Sequence, residues 1–91
     1  MSLPFKETKI NDDTLIREFS QDTDSSEFMW HRDDEDRVIV AKESTDWLIQ
    51  LEDSLPQSLN SSVFIARGEW HRLIKGTGEL RVKIIKNDVP D

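Results

Sequence analysis

Near its C-terminal end the chain reads Leu80-Arg81-Val82-Lys83-Ile84, apolar alternating with basic. Side chains along a strand point to opposite faces in turn, so this period-2 pattern predicts a strand with one face in a core and the other in water. Similar short apolar stretches recur upstream. Leu15-Ile16-Arg17-Glu18-Phe19 lies between the turn formers Asn11-Asp12-Asp13 and Asp22-Thr23-Asp24-Ser25-Ser26, and is too short for a convincing helix. Glu27-Phe28-Met29-Trp30-His31-Arg32 and Val38-Ile39-Val40-Ala41-Lys42 flank the charged run Asp33-Asp34-Glu35-Asp36-Arg37. Their aromatic and β-branched residues predict two strands, or one strand bent at the charges. Trp47-Leu48-Ile49-Gln50-Leu51 follows the turn Glu43-Ser44-Thr45-Asp46, so that residues 38–51 read as a hairpin. Residues 53–60 read as a loop, in which Pro56 removes a ladder donor and Asn60 tolerates a left-handed backbone. Val63-Phe64-Ile65-Ala66 and Trp70-His71-Arg72-Leu73-Ile74 are two more strands around the turn Arg67-Gly68-Glu69. Many short strands, regular turns and no sustained helical period predict an all-β sandwich or barrel. The final Asn87-Asp88-Val89-Pro90-Asp91 reads as a loose tail.

At 91 residues this is a single expected domain, 1–91, with N-terminal strands and turns over 1–27, the barrel region over 28–84 and the tail over 85–91. A domain of that size buries roughly 60 to 65% of its unfolded surface, enough for one core. Apolar residues make up 35% of the chain and charged ones 34%, and a net charge of -7 disfavours binding to phosphate backbones or anionic lipid. No nucleic-acid or membrane partner is therefore expected. The absence of cysteine excludes disulfides, thiolate metal ligands and a cysteine nucleophile. No segment reads as a secretory signal or membrane span, so a cytoplasmic location is expected.

The tripeptide Trp-His-Arg occurs twice, at Trp30-His31-Arg32 and Trp70-His71-Arg72. On a strand each His would face away from its Trp and Arg, and two such strands in one barrel would bring both imidazoles inside. From about Phe28 to Ile84 the chain resembles the cupin family. The second cupin motif, a Gly, five residues, Pro, any, Gly, two residues and His, is matched by Asn60, Ala66, Gly68 and His71, with Gly68 and His71 in register. The first motif is matched by His31, with Asp33 at its second His, Arg37 at its Glu and Ser44 at its Gly. The stretch from Thr45 to Leu59 between the motifs has the length of compact cupins. The resemblance implies an all-β cupin-type double-stranded β-helix, or jelly-roll barrel.

Most well-studied cupins hold a divalent metal with three His and one Glu. The resemblance therefore implies a metal site at His31, Asp33 and His71, a set suited to Fe, Mn, Ni or Zn. Arg37 stands in the way, since a guanidinium stays charged, cannot ligate and would pair with Asp33. It is also a candidate to bind an anionic ligand. The plainer reading is a hydrogen-bonded polar network in a barrel mouth, without metal. Trp30 and Trp70 are candidates to stack a flat ligand at the rim, although core filling or a subunit interface is the commoner role for indoles. Asp33-Asp34-Glu35-Asp36 lacks the Gly and distal Glu of a calcium loop and reads as a solvated turn. Ser25, Ser26, Ser61 and Ser62 have no nucleophile elbow around them and read as turn residues. No catalytic residue is assigned. Two functions remain open: a barrel that binds a small molecule or divalent metal, and a non-catalytic interaction protein. Edge strands and family habit make a homodimer the expected partner arrangement in both.

Overall fold

The computed structural model describes residues 5–22 and 24–87. They form eight strands: β1 (Lys6–Lys9), β2 (Thr14–Phe19), β3 (Asp36–Ala41), β4 (Leu48–Leu51), β5 (Gln57–Ser58), β6 (Val63–Ile65), β7 (His71–Ile74) and β8 (Leu80–Asn87). One sheet has the order β1-β2-β8-β3-β6 and the other β5-β4-β7. Every named pairing is antiparallel. The only helix among the described residues is a 3-10 turn at Ser26–Phe28. No helix among them is long and apolar enough to cross a membrane.

Register turns the sequence alternation into a packed interior. On β8, Leu80, Val82 and Ile84 are buried while Arg81, Lys83 and Ile85 face out. Across the ladder, Leu15 lies opposite Ile84, Arg17 opposite Val82 and Phe19 opposite Leu80. On the other flank of β8, Ile84 meets Ile39 and Val82 meets Ala41. The second sheet contributes Ile49, Leu51 and Leu73 to the same core. Trp47, fully buried between the sheets, stacks obliquely on Phe19 and Phe28 with centroids 6.2 and 5.8 Å apart. Its indole N–H donates to the Thr77 carbonyl. Gly76 passes so close that an added Cβ would lie 2.2 Å from Asp46 Oδ1 and 2.7 Å from the Trp47 amide nitrogen. A side chain there would push out the Asp46 carboxylate that accepts from the amide and hydroxyl of Thr77.

Three expectations from the sequence need correction. Residues 27–32 do not form a strand. Ser25 caps the 3-10 turn by accepting from the Glu27 amide, and Phe28 packs into the aromatic core, so only His31 pairs, through an isolated bridge to His71. Residues 38–51 are not a hairpin. β3 already has β8 and β6 on its two sides, so β4 joins the other sheet. Within 53–60, Gln57–Ser58 pairs with β4 and Leu59 is fully buried. The left-handed non-glycine residue among those described is Asp53, at φ 57°. Asn60 instead clamps Thr45, accepting from its amide and donating to its carbonyl. Asn87 ends β8, while the rest of the expected tail, 88–91, falls outside the described residues.

Candidate metal centre

The two Trp-His-Arg segments lie side by side. His31 and His71 exchange backbone hydrogen bonds, His31 N to His71 O at 3.0 Å and His71 N to His31 O at 2.8 Å. This register sends both imidazoles inward, with ring centroids 4.2 Å apart. The indoles and guanidinia go outward: Arg72 lies over Trp30 at 5.0 Å and Arg32 over Trp70 at 5.1 Å. Trp30 is 44% exposed and Trp70 41%. Neither indole lines the interior cavity, which is about 20 Å³ and walled by Arg17, Glu27, His31, Arg37 and His71 together with apolar core residues.

Asp33 reaches the same space because its segment is tied to the turn before β7. Gly68, with φ 79°, donates its amide to the Asp33 carbonyl, and the Arg67 amide donates to the Asp36 carboxylate. The acidic run is split by the bend at Asp34 and Glu35 that precedes β3. Asp34 is exposed, whereas the Asp33 and Glu35 side chains each retain only 18% of their exposure. The expectation of a solvated turn holds for Asp34 alone of these three, since the other two are paired inside.

Each imidazole is held in the same way. His31 Nδ1 lies 2.8 Å from the Met29 carbonyl and His71 Nδ1 2.9 Å from the Glu69 carbonyl. A carbonyl only accepts, so both Nδ1 atoms carry hydrogen, and in the neutral rings Nε2 carries the lone pair. His31 Nε2 faces Glu27 Oε2 at 2.6 Å, and His71 Nε2 faces Asp33 Oδ2 at 3.1 Å. The second contact is close without hydrogen-bond alignment, and the buried Asp33 Oδ2 has no aligned donor. Arg37 does not supply one. Its Nη1 stays 3.5 Å from Asp33, while Nε and Nη2 engage Glu35 at 2.8 and 2.7 Å.

Charge follows from this arrangement. Asp33 is held below the usual carboxylate range, first by the His71 imidazole against burial, then by Arg37. For Glu27 burial is the largest influence and pushes up, but the His31 contact and Arg17 together win and lower it. Burial likewise opposes charge on His31, yet its bonds to Glu27 and Met29 raise its pKa. Arg17 and Arg37 face Glu27, Asp33 and Glu35, so with neutral imidazoles the carboxylates exceed the guanidinia and the site can take up positive charge.

One ligand atom from each of His31, Asp33 and His71 lies within 4.8 Å of the others. Once His31 gives up the proton that it shares with Glu27, two inward Nε2 atoms and the buried Asp33 oxygen fit a divalent cation. The backbone bonds to Nδ1 are the outer support such ligands ordinarily need. Glu27 and Arg17 were missed by sequence reasoning. Arg17 was legible: it sits between Leu15 and Phe19 at period 2, so a strand that buries those two also turns Arg17 inward. Glu27 could be inferred only from the serines preceding it, which cap a turn four residues before His31.

No family model matches the chain, and no curated protein matches it. Solved structures do. The DMSP lyase DddQ of Ruegeria pomeroyi aligns over 96% of this chain and 49% of its own, with 11% identity and a TM-score of 0.69. A cupin-2 domain containing protein of Shewanella frigidimarina aligns over 89% and 76%, with 22% identity and a TM-score of 0.61. HppE in its iron(II) form aligns over 81% and 41%, with 15% identity and a TM-score of 0.59. The chain spans about half the length of the lyase. These likenesses, with the all-antiparallel two-sheet topology, show that it has the cupin fold.

Proposed function

We propose that this barrel binds one divalent metal ion through His31, Asp33 and His71. The observation that carries the reading is the buried Asp33 Oδ2 without an aligned donor, 3.1 Å from the Nε2 of a histidine whose Nδ1 is already committed to a carbonyl. HppE, of the same fold, is an iron(II) protein, which supports iron among Fe, Mn, Ni and Zn as occupants. A bound ion would supply Lewis acidity or, with iron, redox chemistry. The chain's own residues orient the imidazoles, balance charge and exclude water from the apolar side of the cavity. Arg37 acts here as a positioning residue, held by Glu35 and limiting the room around Asp33.

The test is elemental analysis of protein purified without an affinity tag, followed by melting with Mn(II), Fe(II), Ni(II) and Zn(II). One ion per chain is expected, stabilising by ~2.7 kcal/mol at a free concentration about 100 times Kd. His71→Ala should abolish the response. A flat response of the wild type to every ion would overturn the reading.

A metal-free barrel acting through self-association is the second reading. It is favoured by the Arg37 guanidinium beside Asp33 and by an outward row across three strands, Phe64 opposite Val38 opposite Ile85, with Phe64 58% exposed on the edge strand β6. In this reading a second copy covers the row. Light scattering would then give a dimer mass that Phe64→Asp converts to a monomer.

A further inference from the structure

The two Trp-His-Arg segments have a second face. The His31–His71 bridge sets Trp30 across from Arg72 and Arg32 across from Trp70, on the side of the backbone away from the imidazoles. Indole and guanidinium thus alternate around one patch, in which Trp30, Arg32 and Trp70 are exposed. Carboxylates are plentiful in a chain of net charge -7, and they hold Arg17, Arg37 and Arg81. Among the described residues no ion pair holds Arg32 or Arg72. Stacking on an indole occupies the flat face of a guanidinium and leaves its in-plane N–H groups to donate. Arg72 gives Nε and Nη2 to the uncharged Gln50 side chain and keeps Nη1, whereas no hydrogen bond among the described residues takes up the fork of Arg32. Glu52, across the ladder from Trp70, is exposed and leaves both guanidinia without an ion pair.

We propose that this outer face docks an acidic segment of a different protein, one that presents carboxylates beside apolar side chains. A carboxylate matches the open fork of Arg32 with two parallel bonds, a second reaches Arg72 Nη1, and the apolar side chains cover the indoles. Trp and Arg are also the residue types that carry most of the binding energy at protein interfaces. A second copy fits less well, since face to face the two patches would crowd four guanidinia together. A nucleic-acid strand fits less well too, because a few cations on a chain of net charge -7 do not offset a continuous run of phosphates. The patch and the imidazoles point to opposite sides, so this proposal stands without the metal reading.

The test exposes the whole chain to a random peptide library, sequences the peptides retained, and measures the most enriched one by fluorescence anisotropy. Aspartate and glutamate flanked by apolar residues should be enriched. Affinity should fall at least about tenfold in Arg32→Gln and in the double variant Trp30→Ala, Trp70→Ala. Arg32→Gln changes an exposed position and serves if the double variant does not fold; melting curves check both. No enrichment of acidic residues, or an affinity unchanged in Arg32→Gln, would overturn the proposal. So would tighter binding of a single-stranded oligonucleotide than of the peptide, or a dimer mass in light scattering that Arg32→Gln converts to a monomer.

Discussion

The two Trp-His-Arg copies are identical in sequence and unequal in structure. His71 opens β7, lies opposite Leu51 on β4 and retains 4% of its exposure. His31 belongs to no strand; a single bridge, the Met29 carbonyl and Glu27 hold it. A sheet ladder fixes one imidazole, and a capped turn with an ion pair fixes the other. The comparison teaches that one residue motif can reach one cavity by two routes, and that the routes should differ in what they cost to break.

The largest effect should come from His71→Ala. It opens a void at a buried position and takes away the imidazole that helps hold Asp33 ionised. Chemical denaturation without metal should therefore show a loss of roughly 2–3 kcal/mol. His31→Ala should cost less, about 1 kcal/mol, because its partner Glu27 keeps Arg17. Equal losses for the two variants would mean that the sheet gives His71 no special standing.

The pH response sharpens the contrast further. The raised His31 pKa means that its pair with Glu27 contributes stability below the unfolded value, lost as pH rises through the folded one. Glu27 and Asp33, both lowered, contribute above their unfolded values and lose this as pH falls through their folded ones. Metal-free stability should thus be greatest between the depressed carboxylates and the raised imidazole. Ion affinity should instead grow as pH rises through the His31 value, since the proton on Nε2 must leave. Melting and calorimetry across that window would read the two opposed slopes.

The smallest effects should come from the outer face. Trp30→Ala and Trp70→Ala each remove one half-exposed cation-π contact, worth about 0.5–1 kcal/mol. Both variants should keep the fold and leave ion affinity unchanged, as measured by the same titrations.

Much of this architecture was legible beforehand. The alternation of Leu80, Val82 and Ile84 with Arg81 and Lys83 set β8, and β8 lies between β2 and β3 in the larger sheet. Periodicity states which residues share a face but not which sheet a strand joins, which is why 38–51 read as a hairpin. Of the site, His31, Asp33 and His71 were named and do converge. Glu27 was not, because its placement depends on Phe28 docking against Phe19 and Trp47, a contact between residues distant in the chain.

The most direct measurement is anomalous diffraction at the metal edge from crystals soaked in Mn(II) or Zn(II). The account predicts one strong peak within bonding distance of His31 Nε2, His71 Nε2 and an Asp33 oxygen. Density showing no ion there, with the Arg37 guanidinium closed onto Asp33, would contradict it.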